Sequence, residues 1–147
     1  MPTDQLLSGV EGRWSGTYRL WLEPSVLRVE SSTECVATRV LDRRNVLFDY
    51  EWTDLDGQQF GTMLVGRPAE SEVEMTLIDT WHTGSSSMHC PGIDLESLTG
   101  TYGPVEALWS WRTHIHFDGD ELVFTAWNIS PDGEASKATE ATYRRAA

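Results

Sequence analysis

The sequence predicts an all-β chain: one domain folded as an antiparallel up-and-down β-barrel of about ten strands, with little helix. Three observations carry this expectation. Apolar and polar residues alternate in many short runs, punctuated at regular intervals by Gly, Pro, Asn and Asp. Seven Trp, four Tyr and four Phe in 147 residues favour strands and supply large buried areas. The chain opens a strand with Gly12, Arg13 and Trp14 and ends on Thr142, Tyr143, Arg144 and Arg145. Such an indole can pack across one end of a barrel with a terminal guanidinium laid over it. Closure is preferred because this many strands in an open sheet would leave long unpaired edges.

The elements follow in order. Met1 to Gly9 reads as a short helical turn, capped by Thr3 or Asp4, with Leu6 and Leu7 packing inward. A first strand is expected over residues 13–22, ended by Pro24. Residues 23–30 read as a link, and a second strand as residues 31–41. After a turn at 42–45, a third strand over 46–55 places Val46, Phe48, Tyr50 and Trp52 on its apolar face. Asp56 and Gly57 read as a two-residue hairpin turn. That turn would pair Trp52 with Gly61, Tyr50 with Met63 and Phe48 with Val65, so that the inward faces agree.

Residues 66–71 are expected to be a loop holding Pro68. The next strand, 72–81, carries Val73, Met75, Leu77, Asp79 and Trp81 on one face. Residues 82–92 read as a polar loop, and 97–102 as a weaker strand closed by Gly103 and Pro104. A strand over 107–117 sets Trp109, Trp111, Thr113, Ile115 and Phe117 opposite Ser110, Arg112, His114 and His116. A two-residue loop within Asp118, Gly119 and Asp120 would bring its inner face against Leu122, Phe124 and Ala126. Pro131, Asp132 and Gly133 turn the chain into a last strand over 135–144.

Composition restricts function. A net charge of −12 argues against nucleic acid and against docking on an anionic membrane. The first ten residues lack the basic start and apolar run of a signal peptide, which makes the expected location cytoplasmic. Cys35 and Cys90 are then expected as free thiols. Neither lies in a Cys-x-x-Cys, so no metal or redox chemistry is signalled. The triple Ser85, Ser86, Ser87 forms no nucleophile elbow.

Asp79 stands out, since it falls on the apolar parity of its strand. A carboxylate facing the interior is costly there unless it is paired, hydrogen-bonded or protonated. It either orients a ligand's polar group, or makes a structural hydrogen bond near the strand end or sits on a solvated rim. The latter, non-functional reading is favoured because strand ends often expose that parity. With His82 and His89 it could instead form an acid–base or metal cluster, although these residues have no motif spacing. His114 and His116 are expected to point outward, with Arg112 near Trp127. The expected lining is Phe48, Tyr50, Trp52, Met63, Met75, Asp79, Trp81, Trp109, Trp111 and Phe124. Aromatics this large could also fill the space themselves and leave no cavity.

Several stretches together resemble a known family. They are Asp79 to His82, Met88 with Pro91 and Gly92, Trp109 to Arg112, Asn128 to Gly133, and Glu140 to Arg144. They resemble an uncharacterised bacterial family that is lipocalin-like and fatty-acid-binding-protein-like, a domain of unknown function within the calycin superfamily. The resemblance implies a calycin-like barrel of about ten strands and no established activity or catalytic residues. True fatty-acid-binding proteins place a helical lid between the first two strands, for which residues 23–30 are too few.

The leading functional expectation is non-enzymatic binding of a small, mostly apolar ligand inside the barrel. Asp79, Tyr50 or a Trp N–H would orient it. No cofactor or metal is expected, haem being a minor alternative. The alternatives are a small hydrolase or isomerase using Asp79 with His82 or His89 at the mouth, and a filled barrel that acts in protein association, including homodimerisation.

Overall fold

A computed structural model of the chain describes residues 6–146. The chain forms ten strands: β1 (Gly12–Glu23), β2 (Val26–Val40), β3 (Asn45–Asp54), β4 (Gly57–Ala69), β5 (Glu72–Asp79), β6 (Met88–Gly92), β7 (Leu98–Tyr102), β8 (Trp109–Phe117), β9 (Glu121–Ile129) and β10 (Ala135–Arg145). Among the described residues, one 3-10 turn, Val105–Ala107, precedes β8. Every paired neighbour is antiparallel, in the order β6-β5-β4-β3-β2-β1-β10-β9-β8-β7. The first and last strands therefore zip together, from Trp14 opposite Arg145 to Leu20 opposite Thr139. Among the described residues, no helix is long and apolar enough to cross a membrane.

The remaining seam lies between β6 and β7, the two ends of the sheet. These short strands touch without a ladder of backbone hydrogen bonds among the described residues. Glycine allows the approach: a Cβ at Gly100 would stand 2.8 Å from Met88 Cγ and 2.9 Å from the His89 carbonyl oxygen. The result is a nearly closed barrel. Alternation of direction puts the β1–β2, β3–β4, β5–β6, β7–β8 and β9–β10 connections at one end, the mouth. The other connections, the start of β1 and the end of β10 lie at the base.

The base is plugged as the terminal residues predict. Trp14 is 1% exposed, and its Nε1 donates to the Val10 carbonyl at 2.9 Å. The Arg145 guanidinium carbon lies 4.3 Å from the centre of the indole. Its nitrogens donate to the carbonyl oxygens of Glu11, at 2.8 Å, and of Gly9. Leu6 and Leu7 are buried in a turn, held by Arg39 Nη2 donating to both of their carbonyls at 2.6 and 2.9 Å. The proposed caps Thr3 and Asp4 lie outside the described residues.

Several expectations are corrected. Residues 26–30 belong to β2, so only Pro24 and Ser25 link it to β1; Ser25, at φ 64°, makes the tight reversal. The β3–β4 turn is Leu55 and Asp56, one residue earlier than expected. Phe48 therefore pairs with Met63, Tyr50 with Gly61 and Trp52 with Gln59. The slip is two residues in register, which preserves parity, so Phe48, Tyr50, Trp52, Met63 and Val65 still point inward. Pro68 lies within β4, where pairing with β5 is broken between Gly66 and Ala69, so its missing N–H interrupts no regular ladder. Part of the expected polar loop is strand β6, while β5 stops at Asp79, before Trp81. Trp109, expected on the inner face, is 38% exposed. It begins β8 at the rim, opposite Tyr102, where no further layer of side chains covers it.

Replacing Trp14 with Ala is expected to destabilise the fold by about 3–5 kcal/mol, measured by urea denaturation. A variant as stable as the parent would contradict the plugging role.

Candidate functional site

Inward parity brings most of the predicted lining together. Phe48, Tyr50, Trp52, Met63, Met75, Asp79, Trp111 and Phe124 are buried, and Trp81 is half-buried. Their rings occupy most of the lumen. Tyr18 stacks on Trp52 with centroids 4.2 Å apart, and Phe124 packs edge-on against Phe48 at 5.0 Å and Tyr143 at 5.4 Å. What remains inside is a chamber of about 30 Å³, bordered by Tyr18, Tyr50, Met63, His82, Trp111 and Thr113 among others. It has room for about one water molecule. The mouth is different. Above the chamber lies a cleft of about 670 Å³, walled by Trp81, His82, Met88, Tyr102, Trp111 and Asn128 together with loop residues. His82 and Trp111 border both spaces, their rings 4.7 Å apart, and so form the partition between them.

Asp79 builds this partition. Its Oδ2 accepts from the Tyr50 hydroxyl at 2.8 Å. Its Oδ1 accepts from the backbone N–H groups of Trp81 at 2.7 Å and His82 at 3.1 Å. An aspartate that captures amides two and three residues on turns the chain and ends the strand. The Asp79 N–H in turn donates to Thr83 Oγ1 at 2.9 Å, and its carbonyl accepts from the N–H groups of Thr83 and Gly84, each at 3.0 Å. Gly84 supplies the positive φ, 67°. Burial, then the Asp79 charge, raises the Tyr50 phenol well above its usual value, so it remains a donor. The structural reading of Asp79 thus fits its contacts.

The fixed loop sets the His82 ring over the chamber. Burial lowers its pKa, opposed by the nearby Asp79 charge. Its Nε2 is shielded from solvent and has no hydrogen-bond partner among the described residues, and the same is true of Thr113 Oγ1. Parity already placed Thr113 inward, but its unpaired hydroxyl is a tertiary fact. His82 was legible only as a loop histidine.

A second support was missed. The Arg28 guanidinium clamps the Asp54 carboxylate through Nε at 2.8 Å and Nη2 at 2.9 Å, and lies 4.8 Å from the Trp81 ring centre. The Arg28 hydrogen bond is the main reason the Asp54 pKa falls. The available signal was Asp54 itself, which continues the inward parity of Val46 to Trp52 with a charge. Its partner lay in residues expected to form a link.

The proposed catalytic and metal groupings do not assemble. No hydrogen bond or ion pair joins the Asp79 carboxylate to the His82 ring among the described residues. His89 points outward, 3.7 Å from Glu74. His114 and His116 also face outward, near Glu96 and Asp118, and Arg112 lies 4.9 Å from the Trp127 ring centre. Cys35 and Cys90 are free and buried. Burial raises the Cys90 thiol to about 11, away from nucleophilic thiolate. His116, Asp118 and Glu121 bring three possible ligand atoms within 4.8 Å of one another at the base. Asp118 already accepts from the N–H groups of Asp120 and Glu121, and Glu121 lies 3.7 Å from Arg144.

Thr113→Val should raise unfolding free energy by about 1 kcal/mol, since it removes a buried hydroxyl that has no partner; equilibrium urea unfolding measures this. His82 gives a pH signature. Its folded pKa lies below the unfolded value of about 6.5. The unfolded chain therefore binds the proton first, and stability falls as pH drops below about 6.5. The lowered carboxylates Glu11 and Asp54 act only below about pH 4.5. Unfolding midpoints should thus decline between about pH 6.5 and about pH 5 in the parent, and flatten in His82→Phe.

Comparison with known proteins places this geometry. No curated protein matches the sequence. The fold is similar to the crystal structure of Rv2717c from M. tuberculosis, with a TM-score of 0.68 over 100% of this chain and 99% of that one. The two are 14% identical, so the likeness speaks for the fold alone. The family described as "Protein of unknown function (DUF1579)" matches residues 2–145. With nearly every residue inside that match, the chain belongs to the DUF1579 family.

Proposed function

We propose that this protein is a non-enzymatic binding protein for a small, mostly apolar molecule, held in the mouth cleft above a packed barrel interior. One observation carries the reading: a cleft of about 670 Å³ bordered by Trp81, Trp111, Tyr102 and Met88 stands directly over a lumen whose free space is about 30 Å³. The larger volume lies in the usual range for ligand sites, and the smaller cannot accept an organic ligand without rearrangement. Of the expected lining residues, Trp81 and Trp111 face this cleft. Tyr50, Met63 and Phe124 border the chamber below it, Phe48 and Met75 lie deeper toward the base, and Trp52 packs beside Trp81 near the mouth end of β3. Asp79 acts through position, by holding the loop that carries His82.

The catalytic alternative has less support. Both Asp79 oxygens are occupied by structural donors, and an acid–base pair needs its partners within hydrogen-bond reach.

Nile red, a neutral apolar dye, tests the cleft. Ser87 borders it on an exposed loop, where a larger side chain disturbs no core packing. Ser87→Trp is expected to weaken Nile red binding about tenfold, roughly 1.4 kcal/mol, with the unfolding midpoint unchanged. Equal affinity in a folded Ser87→Trp variant would rule the cleft out as the binding site.

A further inference from the structure

We infer that the mouth site selects neutral, hydroxyl-bearing apolar molecules over carboxylates, by receiving the hydroxyl between His82 Nε2 and Thr113 Oγ1. This inference rests on the binding reading above and adds the chemical class of the ligand.

Two observations combine. The first is polarity without charge. No Lys or Arg is among the residues bordering the cleft or the chamber. The Arg28 guanidinium, over the Trp81 ring, is engaged by Asp54, with Asp56 at 3.3 Å. The charged group at the partition is the Asp79 carboxylate, and burial opposes a proton on His82. A second carboxylate brought to the partition would lose its water and meet an anion, with no lysine and no arginine free of a carboxylate partner beside it to offset the cost. Fatty acids are therefore poor ligands despite the barrel fold.

The second observation is the pair of unsatisfied atoms. His82 Nε2 and Thr113 Oγ1 are both buried, both unpartnered, and both belong to side chains bordering the one small chamber. A neutral imidazole nitrogen either donates or accepts, and a threonine hydroxyl does both. One oxygen bearing one hydrogen satisfies the two together, donating to one and accepting from the other. The chamber, at about 30 Å³, matches the size of that single group. The apolar body would remain in the cleft against Trp81, Trp111 and Tyr102, and the hydroxyl would enter between the His82 and Trp111 rings. Buried groups that gain partners only with the hydroxylated ligand are a strong source of discrimination.

Isothermal titration calorimetry at about pH 7 with 2-naphthol, naphthalene and 2-naphthoate tests this, since a phenol stays neutral there. The expected order is 2-naphthol tighter than naphthalene by about tenfold or more, a difference of roughly 1.4 kcal/mol, with 2-naphthoate weakest. Thr113→Val should remove the preference for 2-naphthol over naphthalene, and Thr113→Ser, which keeps the hydroxyl, should retain it. Binding of 2-naphthoate as tight as that of 2-naphthol overturns the inference. So does a preference that survives Thr113→Val. Naphthalene binding with no gain from the hydroxyl overturns it too, while leaving the cleft as a binding site. Failure of all three probes to bind removes the mouth reading and the inference with it.

Discussion

The buried Asp79 carboxylate joins the barrel wall to the loop that roofs it. A carboxylate inside a protein is costly unless its lone pairs are filled. Here a phenol from β3 and two amides from the β5–β6 loop fill them. The requirement acts in both directions. The carboxylate needs the loop folded back on it, and the loop gains a turn that no helix or ladder would supply. His82 stands where it does because its own amide is one of the three donors. The partition between cleft and chamber is therefore a consequence of satisfying one charge.

The two ends of the barrel are built to different rules. At the base, Trp14 is sealed by Arg145, whose guanidinium spends its donors on nearby carbonyls while its face covers the indole. Cation–π attraction and hydrogen bonding act on one group, so the base is apolar packing capped by a satisfied cation. The mouth is closed by loops and by aromatic edges, with the short β6 and β7 forming a seam held by close packing in place of a ladder. Backbone hydrogen bonds are cooperative along a strand, and a seam without them is the place where local opening costs least. The cleft lies beside that seam: Met88 and His89 of β6 and Thr101 and Tyr102 of β7 border it.

Aromatic content can serve either a cavity or a core, and in this molecule it serves mainly the core. Tyr18, Trp52, Phe48, Phe124 and Tyr143 interlock by stacking and edge-to-face contacts. Each such side chain occupies volume that a ligand would otherwise use. Open space then lies higher, at the level where the layers run out and rings are covered on one face only. Trp81 illustrates the transition, packed by Trp52 and Arg28 on its inner sides and bordering the cleft with the rest.

By itself the sequence determined most of what depends on parity and on chain ends. The period of two along β3, β5, β8 and β9 assigns Phe48, Met75, Asp79, Trp111 and Thr113 to the interior, because neighbouring side chains on a strand must point to opposite faces. Even the two-residue error in the β3–β4 register left those assignments intact, since an even slip returns each residue to the same face. Trp14 and the pair Arg144 and Arg145 announced the plug because one strand begins and another ends with them, while the tertiary structure selected Arg145 to cover the indole. Only the tertiary structure decided what lies across from what. Arg28 meeting Asp54, β6 emerging from a stretch that looked like loop, and Trp109 passing the rim all depend on how far opposite walls extend. The same holds for the chamber: whether inward aromatics leave a space, and whether the groups facing it find partners, follows from the packing of strands distant in sequence. No local pattern encodes that distance.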